Sequence, residues 1–194
     1  MLQIISGKYK GFRLVLVPSE KTKSTSHLVR KALFDTIGAE IEGQTVLDLF
    51  SGSGVYGFEA LSRKAKAIYM VDNLLAAYKA IKKNCQKLQL KSDEVHIFYG
   101  DAFRMLKKFI KEELIFDFII LDPPYFSDYF EPLLKVLSPL TNQNSLVICE
   151  TNHKMNLPSK INDFHLIKSK KYGSQKLNYY RKVFLLYHKN LFMF

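Results

Sequence analysis

The sequence predicts an α/β fold built on a doubly wound, mostly parallel sheet of seven strands, closed by a C-terminal antiparallel hairpin and preceded by an N-terminal β-hairpin and helix. Three observations carry this. Strand and helix signals alternate five times between residues 45 and 150, the pattern of a parallel sheet with helical crossovers. The glycine-rich stretch SGSGVYG follows the first of these strands and opens a helical pattern. The fourth strand, an unbroken apolar run from Phe118 to Leu121, ends on Asp122-Pro123-Pro124-Tyr125. Each proline fixes its own φ and the first pushes Asp122 towards an extended conformation, so the strand leaves the sheet as a stiff loop. Open α/β sheets bind their ligands at that edge.

The elements follow in order. LQIISGKYKGFRLVLV has the alternation and central glycines of a hairpin, placed at residues 1–20, and STSHLVRKALFDTIG reads as a capped amphipathic helix over 25–39. TVLDLF (45–50) and AIYMVD (67–72) are buried strands separated by the glycine turn and its helix. A lysine-decorated helix runs to about Leu90, EVHIFY (94–99) is the third strand, and a helix spans Asp101 to about Glu112. After the strand that ends at Asp122 come a helix around YFEPLLKVL and the strand SLVICE (145–150). DFHLIKSKKYG and KLNYYRKVFLLYH then follow one another with no helix between them, which reads as the closing hairpin of a core extending over 45–188. With no repeat, low-complexity tract or linker, the 194 residues read as one domain, and 47% hydrophobic content is ample for its core.

The net charge of +11 is unevenly spread. Residues 1–31 carry seven basic side chains against one acidic, and residues 154–182 carry eight against one, whereas 32–153 hold 13 basic and 16 acidic. Two basic wings around a mildly acidic body point to a polyanionic partner. No apolar run approaches the roughly 18 residues that span a bilayer, and MLQIISGKYKG lacks the apolar stretch of a signal peptide, so the expected location is the cytosol. Cys85 falls in a helical pattern and Cys149 in an apolar strand, without ligand spacing, which predicts reduced thiols and no metal.

Gly52, Gly54 and Gly57 let the strand-to-helix turn approach a ligand, and a side chain at Gly54 is expected to fill the space where ligand and backbone meet. Asp72, 20 residues after Gly52 at the end of the next strand, offers a carboxylate to ribose hydroxyls. The same spacing occurs in dinucleotide dehydrogenases, but Asp48 disfavours that reading. A carboxylate at the glycine turn suits a ligand with an ammonium group and would repel a pyrophosphate. S-adenosylmethionine carries such an amine. Asp101 is placed to accept from its adenine amine with the Ala102 amide as donor, or to cap the helix that follows, and both roles can coincide.

The Asp-Pro-Pro-Tyr loop then acquires a chemical reading. An exocyclic amine on a nucleobase is a poor nucleophile because its lone pair is delocalised into the ring. Asp122 and the Pro123 carbonyl can accept its two N–H bonds and aim the lone pair at a methyl group, while Tyr125 stacks on the extruded base.

These motifs resemble those of the RsmD family of small-subunit rRNA guanine-N2 methyltransferases. GKYKGFRL, STSHLVRKALFDTI, DLFSGSGVYGFEALSRKA, DPPY and YGSQKLNYYR correspond in order across nearly the whole chain. Lys23-Ser24-Thr25 stands where the family has Arg-Pro-Thr, and Asp72 where it usually has a glutamate. The resemblance implies a Rossmann-like class I methyltransferase fold and S-adenosylmethionine as cofactor, held by Asp48, Phe50, Gly52, Gly54, Asp72, Asp101 and Ala102. It implies catalysis at Asp122, Pro123 and Tyr125, and a substrate in 16S rRNA or the assembling small subunit. Together with the basic wings it implies RNA contacts at Lys8, Lys10, Arg13, Arg30 and Tyr172, and no obligate protein partner. Glu59, in the matching helix, is expected to make a structural hydrogen bond. Two alternatives stand beside this: an adenine-N6 DNA methyltransferase, for whose target-recognition region the chain has little room, and a non-catalytic RNA-binding module, which would predict decay of the glycine or proline motif.

Overall fold

The computed structural model describes residues 2–17, 26–124 and 128–183. Its elements are α1 (His27–Ile37), β1 (Thr45–Leu49), α2 (Val55–Ser62), β2 (Ala67–Asp72), α3 (Leu75–Leu88), β3 (Val95–Tyr99), α4 (Ala102–Lys111), β4 (Phe118–Leu121), α5 (Phe130–Val136), β5 (Leu146–Asn152), β6 (Lys160–Ile161), β7 (Phe164–Tyr172) and β8 (Gln175–Lys182). The strands form a single sheet in the order β3-β2-β1-β4-β5-β8-β7-β6. The first five are mutually parallel, and β8, β7 and β6 are antiparallel. Among the described residues eight strands replace the expected seven, because the short β6 adds a two-residue ladder to β7 at the sheet's edge.

Alternation along the strands sorts the core into two layers. Val46, Met70, Ile120 and Ile148 face α1, α2 and α3, while Leu47, Val71, Leu121 and Cys149 face α4 and α5. α2 is buried along its whole length because the N-terminal segment lies over it. That segment folds back at an antiparallel bridge between Gln3 and Arg13, with Ile4 N donating to Phe12 O and Leu14 N to Leu2 O. It is fastened in several places. The buried Glu59 carboxylate accepts from Ile5 N at 2.7 Å and Ser6 N at 3.1 Å, and Asn84 of α3 accepts from Val15 N at 2.7 Å. Gly7 is obligatory at the tip. Its φ is +82°, and a Cβ there would stand 1.8 Å from Ser62 O.

The Ser26 hydroxyl caps α1 by accepting from Val29 N, and α1 packs Leu33, Phe34 and Ile37 into the first layer. From β1 the chain winds outward through β2 and β3, then returns to place β4 on the other side of β1. The direction therefore reverses between β1 and β4. Ligands of open α/β sheets sit in the crevice outside the strand ends at such a reversal. No helix among the described residues is long and apolar enough to cross a membrane.

Candidate active site

The glycine turn after β1 is built from strained and open backbone. Phe50 lies at φ +73°, Gly52 at +53° and Gly54 at +76°. A non-glycine residue in this region costs free energy, so Phe50 is held there by its surroundings. Phe50 N and Ser51 N both donate to Val71 O at 3.0 Å, and Ser51 Oγ donates to Asp48 O at 2.5 Å. The Asp72 carboxylate accepts from Gly52 N at 2.7 Å and from Leu74 N at 2.8 Å. Burial raises its pKa against the lowering effect of those amides. The β2 carboxylate is thus locked onto the turn, with acceptor capacity left over, since a carboxylate offers about four lone-pair sites.

The glycines divide their work in a way the motif does not reveal. A Cβ on Gly54 would lie 2.7 Å from Phe58 Cε2 and 2.9 Å from Met70 Sδ, and one on Gly57 would lie 2.8 Å from Met70 Sδ. Both serve the packing of α2 on β2, which corrects the expectation that Gly54 keeps ligand space clear. Gly52 is the position where a Cβ would meet nothing within 4 Å. We expect Gly54→Leu to abolish folding, and Gly52→Leu to leave a folded protein that has lost cofactor affinity by tenfold or more, on the order of 1.4 kcal/mol. Circular dichroism and calorimetry check the pair, and a folded Gly54→Leu protein with intact binding would contradict it.

Asp48 sits beneath the first turn of α2. It is 1% exposed and its carboxylate accepts from Gly57 N at 3.0 Å. Burial pushes its pKa up to about 7, with the Asp72 charge adding to the rise. Asp101 caps α4 by accepting from Arg104 N at 3.0 Å and remains exposed, so its capping role is in place, and Ala102 follows as the first residue of the helix. Three aromatic side chains from three segments gather at this edge, Phe50 of the glycine turn, Tyr129 before α5 and Phe103 in the first turn of α4: the Phe50 ring lies 5.6 Å from that of Tyr129, which lies 6.2 Å from Phe103.

Across the strand reversal, β4 delivers Asp122 to the same edge. Leu121 pairs with Leu49 on one side and Cys149 on the other, so Asp122 emerges between Phe50 and Glu150. Asp122 is half-buried, Pro123 buried and Pro124 exposed, and Tyr125 lies outside the described residues. Sequence reasoning missed three neighbours. Glu150, at 4% exposure, accepts from Tyr56 Oη at 2.5 Å and from Gln175 Nε2. The pKa of the Tyr56 hydroxyl is raised first by burial and then by the charges of Glu150, Asp122 and Asp48. Among the described residues no group of His, Cys, Asp and Glu is arranged to hold a metal ion.

The residues read as RNA contacts are scattered. Lys8 and Lys10 are exposed at the hairpin tip, where Lys8 N and Tyr9 N bond to Ser62 at the end of α2 remote from the glycine turn. A helix of that length spans about 12 Å. Arg13 is exposed on the returning arm. Tyr172 lies at the β7–β8 turn, which pairs with Asn152 at the same sheet edge as Asp122. Arg30 is the correction. It is 1% exposed, donates Nη2 to Gln3 O at 2.7 Å and stands 3.9 Å from Glu59. Its guanidinium fastens the hairpin to α1 and cannot reach a phosphate from there.

A glycine turn with its β2 carboxylate, facing an Asp-Pro-Pro loop across the β1/β4 reversal in a sheet closed by an antiparallel hairpin, defines a class I methyltransferase fold. The family model described as Conserved hypothetical protein 95 matches residues 2–181. The chain is 31% identical over 183 residues to the putative rRNA methyltransferase YlbH of Bacillus subtilis, covering 93% of this chain and 99% of that protein. It is 32% identical over 182 residues to ribosomal RNA small subunit methyltransferase D of Buchnera aphidicola, covering 92% and 89%. A crystal structure of a putative methylase from Haemophilus influenzae superposes with a TM-score of 0.76 at 26% identity, over 94% of this chain and 99% of that one. The chain belongs to this family, the RsmD family that its motifs resemble.

Proposed function

We propose that this protein transfers a methyl group from S-adenosylmethionine to the exocyclic N2 amine of a guanine in small-subunit rRNA, in the cytoplasm. The observation that carries the reading is the open face of the glycine turn, with Asp72 locked to Gly52 N, set across the strand reversal from Asp122. The residues fit the cofactor. Gly52 leaves backbone-close space that any side chain would fill, Asp72 can accept ribose hydroxyls, and Asp101 with the Ala102 amide can meet the adenine edge. Asp48 places negative charge beneath the turn, where a ligand ammonium would offset the burial that raises its pKa. When bound, the cofactor supplies an electrophilic methyl group on a sulfonium.

The chain's own part is to bind, orient and accept a proton. Asp122 and the Pro123 carbonyl accept the two N–H bonds of the amine and turn its lone pair towards the methyl group. With the cofactor bound, the amine would take up the methyl group and give up one proton, for which Asp122 or solvent would be the acceptor. Tyr125 is proposed to stack on the base. The family's named relatives favour RNA over DNA as substrate. Labelled methyl should enter small-subunit RNA and not duplex DNA; labelling of adenine in DNA alone would replace this reading with its N6 alternative.

The basic hairpin yields a separate prediction. Replacing Lys8, Lys10 and Arg13 by alanine should flatten the log-affinity slope against log salt by roughly 0.7 to 0.9 for each phosphate that is no longer neutralised. Filter binding with small-subunit RNA measures it. Cofactor affinity should be unchanged, since the tip lies at the far end of α2. An unaltered salt slope would reduce this wing to a solvated surface.

A further inference from the structure

We propose that Tyr56, Glu150 and Gln175 form a positioning network that holds the Asp122 end of β4 in register with the glycine turn on one side and the β7–β8 turn on the other. The proposal rests on the methyltransferase reading and assigns a role to three residues outside the motifs that carry it.

Strand parity brings two carboxylates together. Ile120 and Ile148 face the α2 layer, so two residues on Asp122 and Glu150 face it as well, side by side on adjacent strands about 4.8 Å apart. Two carboxylates so placed would repel each other and splay the strand ends unless one is fixed from elsewhere. Glu150 is fixed. Tyr56, in the first turn of α2 directly after the glycine turn, donates its hydroxyl to one oxygen, and Gln175, the first residue of β8, donates its amide to the other. Both donors are buried, and Tyr56 is 2% exposed. Charge-assisted bonds in a low-dielectric interior are the stronger kind. Glu150 is thereby oriented by two neutral donors, one from α2 and one from β8, which fixes the β5 partner of the Asp122 end of β4. The network also joins the element that shapes the cofactor side to the turn that carries Tyr172 on the substrate side.

Tyr56→Phe removes the hydroxyl and keeps the ring that packs 6.3 Å from Phe34, so the fold survives the test. Under single turnover on small-subunit particles, Tyr56→Phe and Gln175→Leu should each slow methyl transfer about tenfold, the scale of one hydrogen bond to a charged group. KM for RNA and cofactor should stay within about twofold of the wild type, since neither residue is proposed to touch a ligand. The double variant should lose little more than the worse single one, because both bonds act through Glu150. Unchanged rates in both variants, multiplied losses in the double one, or an effect confined to KM would each overturn the proposal. Amide exchange over residues 118–122 is read on the same proteins without substrate. Faster exchange in both variants supports the network, and unchanged exchange refutes it. A wild type that binds cofactor but methylates no RNA would sink the functional reading alone, leaving the exchange result to decide the network.

Discussion

Asp122→Ala is expected to slow methyl transfer by about a hundredfold or more while leaving cofactor and RNA affinity nearly unchanged. The scale is that of roughly 3 kcal/mol for a positioned transition-state hydrogen bond. The residue stands at the end of β4, between the strained Phe50 and the buried Glu150, and neither the Gly52–Asp72 lock nor the basic hairpin depends on it. Asp122→Asn separates two functions of the carboxylate. Its amide oxygen can still accept an N–H, so substantial remaining activity would assign Asp122 to orientation. An Asn variant as slow as the Ala one would assign it to proton acceptance or to the electrostatics of the developing ammonium. Single-turnover rates equal to wild type in the Ala variant would remove Asp122 from the chemistry.

The second large effect is on stability, at Glu59. Its carboxylate is fully buried and accepts from Ile5 N, Ser6 N and Arg63 Nε, with the Arg30 guanidinium 3.9 Å away. Glu59→Ala strands two backbone amides and leaves Arg30 as a buried charge without its counter-ion, a loss of about 3–5 kcal/mol by the precedent of broken buried pairs. Glu59→Gln keeps one acceptor and should cost less. Urea unfolding with an unchanged m-value measures both. A loss below about 1 kcal/mol in the Ala variant would show that the N-terminal segment is held by its apolar packing on α2 and α3 instead.

The sheet was legible because its buried parallel strands are mostly apolar, β4 without interruption, and its turns carry glycine or proline. The expected Asp101 cap rests on equally local chemistry. What escaped was long-range. Arg30 sits beside Val29 and one turn before Leu33 and Phe34, at the margin of an apolar stripe, and only the fold brings Glu59 beneath it. Gly54 shares a motif with Gly52, yet its need for a missing side chain comes from Phe58 and Met70, whose positions depend on how α2 lies on β2. Tyr56 and Glu150 are 94 residues apart, and Gln175 reaches Glu150 through the antiparallel register of β8 on β5, which no local pattern specifies. β6 is too short to leave a period.

Methyl transfer to the N2 amine of a guanine is the reaction proposed for the site between Asp122 and the glycine turn. The direct measurement incubates the wild-type protein and Asp122→Ala with labelled S-adenosylmethionine and small ribosomal particles lacking this modification, digests the RNA to nucleosides and resolves them by mass spectrometry. Label is expected in N2-methylguanosine with the wild type, and its appearance is expected to be at least a hundredfold slower with the variant. Label in any other nucleoside, or equal labelling by the two proteins, would contradict it.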